Sequence, residues 1–173
     1  NDYFPGGKYK VEQPIQALKT IKTLLRRFRA SGEPVIFVQH IAAAGAAFFV
    51  PDSKGAELCP ELDLQQGETL IVKHTPNSFA GTTLAETLEK QGTEELIVCG
   101  MMTQMCIDTT VRAARDRGYP VTLIADACAA HDLVWEQKTL PASLVQSVFL
   151  AALNGSFARV CSCAQYLAAD DDR

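Results

Sequence analysis

The chain has 173 residues, enough for one domain with a sizeable core and short for two. With 47% hydrophobic residues, 21% charged residues and a net charge of -4, it reads as a globular protein without the basic footprint that nucleic acid requires. No apolar run approaches the roughly 20 residues of a membrane span, and no signal peptide is visible, although the opening NDYFPGGKY is not a translation start.

Over residues 13–30, Ile15, Leu18, Ile21, Leu24, Leu25 and Phe28 recur at helical spacing and Ser31-Gly32 closes the pattern, predicting an amphipathic helix. Residues 34–40 form a continuous apolar, β-branched run of the kind found in a strand buried on both faces, and its carboxyl end delivers Gln39 and His40. Residues 41–67 have no periodicity and carry Phe48 and Phe49. A connection of that length is expected to serve a site. Then follow a strand at 68–74, a helix at 82–91, a strand at 95–99, a helix after Cys106 to Arg117 and a strand at 120–126. A helix at 141–153, a short strand at 159–163 and a frayed acidic tail complete the chain.

Alternating strands and helices with apolar strands imply a three-layer αβα, Rossmann-like parallel sheet within a single domain spanning 1–173. In such sheets ligands bind beyond the carboxyl ends of the strands. That rule brings His40, Lys73 and the turn at Cys106 to one edge. There is no GxGxxG fingerprint, so no dinucleotide cofactor is expected.

Six cysteines are present, three of them in apolar strand-like runs where a thiol behaves as a small hydrophobe, which predicts reduced cysteines and a cytoplasmic location. Cys161-Ser162-Cys163 lacks the spacing and the second pair of a zinc site. Cys106 differs, because it arrives where a strand ends in glycine and a helix begins. The unpaired N–H groups and positive dipole end of a helix favour a thiolate there. A lysine at position 73 beside it would act in the same direction.

The residues Asn1-Asp2-Tyr3-Phe4-Pro5-Gly6-Gly7, Val72-Lys73-His74 with Asn77-Ser78-Phe79, Gly100-Met101-Met102-Thr103-Gln104-Met105-Cys106 and Asp126-Ala127-Cys128-Ala129 stand in one order along the chain. On these motifs the sequence resembles the isochorismatase-like cysteine hydrolases, a group that includes nicotinamidases and N-carbamoylsarcosine amidases. The resemblance implies a Cys-Lys-Asp triad with Cys106 as nucleophile and Lys73 as the cation beside it. It implies a cis peptide between Met101 and Met102, and an oxyanion hole from the backbone N–H groups of Met102 and Cys106. The family's aspartate ends the first strand in a D-x-Q-N-D pattern, so its equivalent is expected a few residues before Asn1, with that strand. Asp2 matches the later acidic position and is expected to hold loop structure.

Some members of this group hold a metal through Asp-x-His and further histidines. Here Gln39 precedes His40 and no histidine follows in the loop, so neither a metal nor another cofactor is expected. His74 and His131 read as structural, Trp135 as a packing or subunit contact, and Phe4, His40, Phe48 and Phe49 as the border of a substrate pocket. The function implied is hydrolysis of the C–N bond of a small amide or carbamoyl compound through a thioester. Alternatives are a non-catalytic metabolite-binding homologue, if the upstream aspartate is absent, and a vinyl-ether hydrolase, against which Cys106 argues. The expected partners are this small substrate and further copies of the chain, because the helix at 141–153 is apolar on several sides and needs burial in its own domain or under another subunit.

Overall fold

The computed structural model describes residues 1–170. The first helix, α1 (Pro14–Ser31), starts on a proline that has no N–H to lose and buries Ala17, Leu18, Leu24 and Leu25. Gly32 ends it in the left-handed region at φ 71°, where the N–H groups of Gly32 and Glu33 donate to the carbonyls of Arg29 and Phe28. The strands β1 (Ile36–His40) and β2 (Thr69–Lys73) pair in parallel, with His40 opposite Lys73. After α2 (Leu84–Lys90) come β3 (Leu96–Met101), α3 (Asp108–Asp116) and β4 (Val121–Ala129). The hairpin β5 (Leu133–Trp135) and β6 (Lys138–Leu140) precedes α4 (Ala142–Leu153), β7 (Arg159–Cys161) and α5 (Cys163–Asp170).

Burial of β4 on both faces sets the layers. Leu123 and Ile124 are successive residues, so they point to opposite sides, and both are fully buried. Leu123 joins a core with Leu84 and Leu88 of α2, Val111 and Ala114 of α3, and Leu153 of α4. Ile124 joins a second core with Leu24 of α1 and Cys163 of α5. Helices therefore cover both faces of parallel strands in the order β3-β4-β7, which gives the expected αβα architecture.

Several local expectations are corrected. The parallel strands form two pieces, β1-β2 and β3-β4-β7, with no hydrogen-bonded ladder between them among the described residues. Consequently β1 is not buried on both faces: Phe37 is buried, but Val38 is 38% exposed. Residues 163–170, expected to fray, form α5, because Tyr166 and Leu167 pack on the core that holds Ile124. The remainder of that acidic tail lies outside the described residues. The hairpin β5-β6 has no counterpart in the expected elements; its alternation is only three residues long on each strand, and Leu133 and Leu140 pack on Val145 of α4. Within α4, Val145 and Leu153 are buried whereas Leu144 and Val148 stay exposed. Among the described residues no helix is long and apolar enough to cross a membrane.

The loop 41–67 contains a 3-10 turn, Pro60–Leu62, and is held by polar contacts. At its far end, Arg29 of α1 grips the Glu68 carboxylate with two N–H donors at 2.7 and 2.9 Å. At its near end, buried Asp2 accepts from the N–H groups of Phe49 at 2.7 Å and Lys8 at 3.1 Å, and its own N–H donates to the Gly55 carbonyl. Gly55 is required there, since a Cβ would stand 2.3 Å from the Asp2 carboxylate. Burial raises the Asp2 pKa, yet the two backbone donors and nearby positive charge outweigh it and hold the carboxyl below its ordinary value.

Asp2→Asn is expected to destabilise the fold by about 1–3 kcal/mol, since a charge-assisted acceptor of two buried donors is lost. A depressed carboxyl contributes stability above its ordinary value of 3.8 that disappears as pH falls through the folded value. Thermal melts should therefore show the wild-type advantage over the variant at neutral pH and its shrinkage under acid. Equal melting temperatures at neutral pH would show that Asp2 does not fasten the loop.

Candidate active site

The nucleophile candidate is presented by an unusual turn. β3 closes on Gly100-Met101, where the Gly100 φ of 134° suits glycine and a Cβ would stand 3.4 Å from Ile107 Cδ1. The Met101–Met102 peptide that follows is cis. The next five residues, Thr103–Ile107, form a π-helical turn in which the Ile107 N–H donates to the Met102 carbonyl at 3.2 Å. Cys106 therefore sits in the turn just ahead of α3, in keeping with a helix that begins after it, and the π-helical form of that turn is the unexpected part. The turn is anchored from α4: the Thr103 hydroxyl donates to Gln146 Oε1 at 2.5 Å, and Gln146 Nε2 donates back to the carbonyls of Ala125 and Cys128 in β4. Gln104 is buried in the same turn with its Nε2 3.7 Å from Met102 Sδ and its Oε1 without a hydrogen-bond partner.

Lys73 ends β2 and is only 3% exposed. Its Nζ donates to the Pro76 carbonyl at 2.5 Å and to Ser78 Oγ at 3.4 Å. Burial lowers the Lys73 pKa, while Cys106 acts in the opposite direction. No carboxylate pairs with Lys73 among the described residues. Thr110, one turn beyond Cys106, places its hydroxyl 2.9 Å from Ser78 Oγ and accepts from the Ser78 N–H at 3.0 Å.

The six cysteines are all free. Burial pushes the Cys59 thiol up to about 11 and Cys99 up to about 12, and burial likewise raises Cys128, Cys161 and Cys163. Cys106 is half-buried and alone interacts with the buried Lys73 ammonium.

Beside the turn lies an aromatic cluster. Phe49 meets Tyr3 edge-on at 4.7 Å and Phe48 at 5.1 Å, and the cluster extends to Phe4, Met101 and Met102. Phe49 is buried in this cluster, whereas Phe4, Phe48 and His40 keep partial exposure, with the His40 ring 5.8 Å from Phe49. Burial, then the charges of Lys73 and His74, lowers the His40 pKa. Sequence reasoning passed over Tyr3. Its phenol is pushed far up by burial and next by the charge of Cys106. Thr110 and Ser78 were likewise given no role, although the spacing of four between Cys106 and Thr110 places both on one helix face. His74 bonds the Ile41 carbonyl at 2.8 Å, the His131 ring packs tilted against Tyr9 at 4.5 Å, and Trp135 is 68% exposed. Among the described residues no group of three or more His, Cys, Asp or Glu side chains could hold a metal ion.

The Isochorismatase domain model matches residues 1–165. The isochorismatase family protein YddQ of Bacillus subtilis is 47% identical over 161 residues, which is 92% of this chain and 89% of that protein. An isochorismatase structure from Pseudomonas putida superposes with a TM-score of 0.90 at 36% identity, covering 95% of this chain and 84% of that one. A cysteine hydrolase from Pseudomonas syringae pv. phaseolicola superposes with a TM-score of 0.87 at 25% identity, covering 94% and 83%. With its parallel αβα layers and a thiol presented from the turn after β3, the chain belongs to the isochorismatase family of hydrolases.

Proposed function

We propose that the protein is a cysteine-dependent hydrolase that cleaves the C–N bond of a small carboxamide or carbamoyl compound. One observation carries this reading: the buried Lys73 ammonium donates to the Pro76 carbonyl and to Ser78 Oγ and interacts with Cys106, with no carboxylate paired to it among the described residues. A buried charge is costly by several kcal/mol unless an anion stands near it, and in this reading a Cys106 thiolate and the aspartate that the family resemblance sets before Asn1 supply that charge. Likeness to a solved cysteine hydrolase supports the same assignment.

In this mechanism the Cys106 proton passes to the aspartate that the family resemblance sets a few residues before Asn1. The thiolate attacks the carbonyl carbon, a C–S bond forms, and the oxyanion is held by the N–H groups of Met102 and Cys106. Collapse breaks the C–N bond, and the aspartic acid returns its proton to the departing ammonia or amine. Water, deprotonated by the same carboxylate, then hydrolyses the thioester to the acid and regenerates Cys106. Lys73 keeps its proton throughout and offsets the negative charge at sulfur. Phe4, His40, Phe48 and Phe49 border the acyl group, a setting suited to a small planar amide. No step calls for a cofactor. The reading includes a homo-oligomer, with the exposed Leu144 and Val148 of α4 and Val134 and Trp135 of the hairpin forming the face between copies.

Three outcomes are expected. Limited iodoacetamide treatment with peptide mapping should label Cys106 before the other five cysteines, since alkylation needs thiolate and access; preferential labelling of Cys59 with Cys106 untouched would remove the nucleophile. A screen of small primary amides should detect ammonia release that Cys106→Ala abolishes and chelators leave intact, whereas full activity in that variant, or activity lost to chelation and restored by metal, would overturn the mechanism. Light scattering should find a particle larger than one chain, and a monomer would delete the oligomer.

A further inference from the structure

We propose that Thr110 and Ser78 are positioning residues that aim the Lys73 ammonium at Cys106. The inference rests on the cysteine-hydrolase reading of this site and adds two residues that do not touch the reacting atoms.

An ammonium has three donors and no acceptor, so its direction is set by where its three acceptors stand. For Lys73 two of these are the Pro76 carbonyl and Ser78 Oγ, which leaves one donor for Cys106. The first two belong to the loop after β2, and Thr110 holds that loop at three points. Its hydroxyl accepts from the Ser78 N–H at 3.0 Å, lies 2.9 Å from Ser78 Oγ and reaches the Pro76 carbonyl at 3.4 Å. With two donors directed by acceptors that Thr110 fixes, the third faces the thiol.

The placement of Thr110 gives the arrangement its register. It lies four residues after Cys106, on the same side of the helical segment, so the element that carries the thiol also carries the group that orients its cation. A shift of α3 along its axis therefore moves nucleophile and lysine acceptors together. Phe79, next to Ser78, is buried in the core with Val111, next to Thr110, which keeps loop and helix in contact whether or not the hydroxyls are present. Loss of the Thr110 hydroxyl should thus loosen the aim of Lys73 without dismantling the loop.

The test is the rate of Cys106 alkylation by iodoacetamide near pH 7 and near pH 10, measured by peptide mapping for wild type, Lys73→Met, Thr110→Val, Thr110→Ser and Ser78→Ala. Near pH 7, Thr110→Val and Ser78→Ala should slow alkylation about three- to tenfold, the worth of one ordinary hydrogen bond, and Thr110→Ser should restore it. Near pH 10, where a thiol ionises without a neighbouring cation, the variants should match wild type. A merely structural role would slow both pH values alike or neither. If Lys73→Met slows the reaction near pH 7 while Thr110→Val and Ser78→Ala do not, positioning by this pair is overturned and the Cys106–Lys73 pair stands. If Lys73→Met also has no effect, the pair itself fails and the positioning role falls with it. Should Thr110→Val fail to fold, as judged by circular dichroism, Ser78→Ala gives the same reading.

Discussion

A lysine ammonium buried to 3% exposure, without a carboxylate partner among the described residues, is the constraint around which the site is arranged. Water is nearly absent around it, so its charge must be met by protein groups or the proton is lost. A carbonyl and a hydroxyl satisfy two donors but carry no charge. The thiol of Cys106 is the remaining partner and can supply a negative charge. A low local dielectric keeps the interaction between the ammonium and sulfur strong.

Much of the surrounding structure follows from bringing those two side chains together. Lys73 comes from the end of β2 and Cys106 from the turn after β3, and these strands lie in different pieces of the parallel framework. Contact between them depends on the turn being held still. Thr103 and Gln146 tie it to α4 and β4, and Thr110 ties the following helix to the loop of Lys73. On the other side, Asp2 fastens Phe49, and Phe49 packs on Tyr3. The loop that carries Phe48 and Phe49 is therefore fixed at the site end by one buried carboxylate and at the far end by the Arg29–Glu68 pair.

The parts legible in the sequence are those with long or strong periodicity. The spacing of Leu18, Leu24 and Leu25 with a terminal glycine defines α1 to within a residue or two, and the β-branched runs locate β1 to β4. Apolar residues on both faces of β4 imply two helix layers, as observed. The hairpin β5-β6 escaped because three-residue strands carry almost no alternation, and α5 because Cys163, Tyr166 and Leu167 are too few to stand out before an acidic end. At the site, Cys106 and Lys73 were legible from strand ends and motif. The π-helical turn was not, since it reflects how the chain leaves β3 and not any residue preference. Ser78, Thr110 and Tyr3 act through contacts across elements, and only a folded chain reveals those.

Acyl transfer to the protein tests the nucleophile most directly, independently of which amide is the natural substrate. The protein would be mixed with a small activated ester such as p-nitrophenyl acetate, quenched in acid within the first turnovers and mapped by mass spectrometry. One acetyl group on the peptide containing Cys106, appearing before acetylation of any other cysteine or lysine, is the expected result. Acetyl on Lys73 or Cys59 with Cys106 unmodified would contradict the assignment of Cys106 as the attacking thiolate.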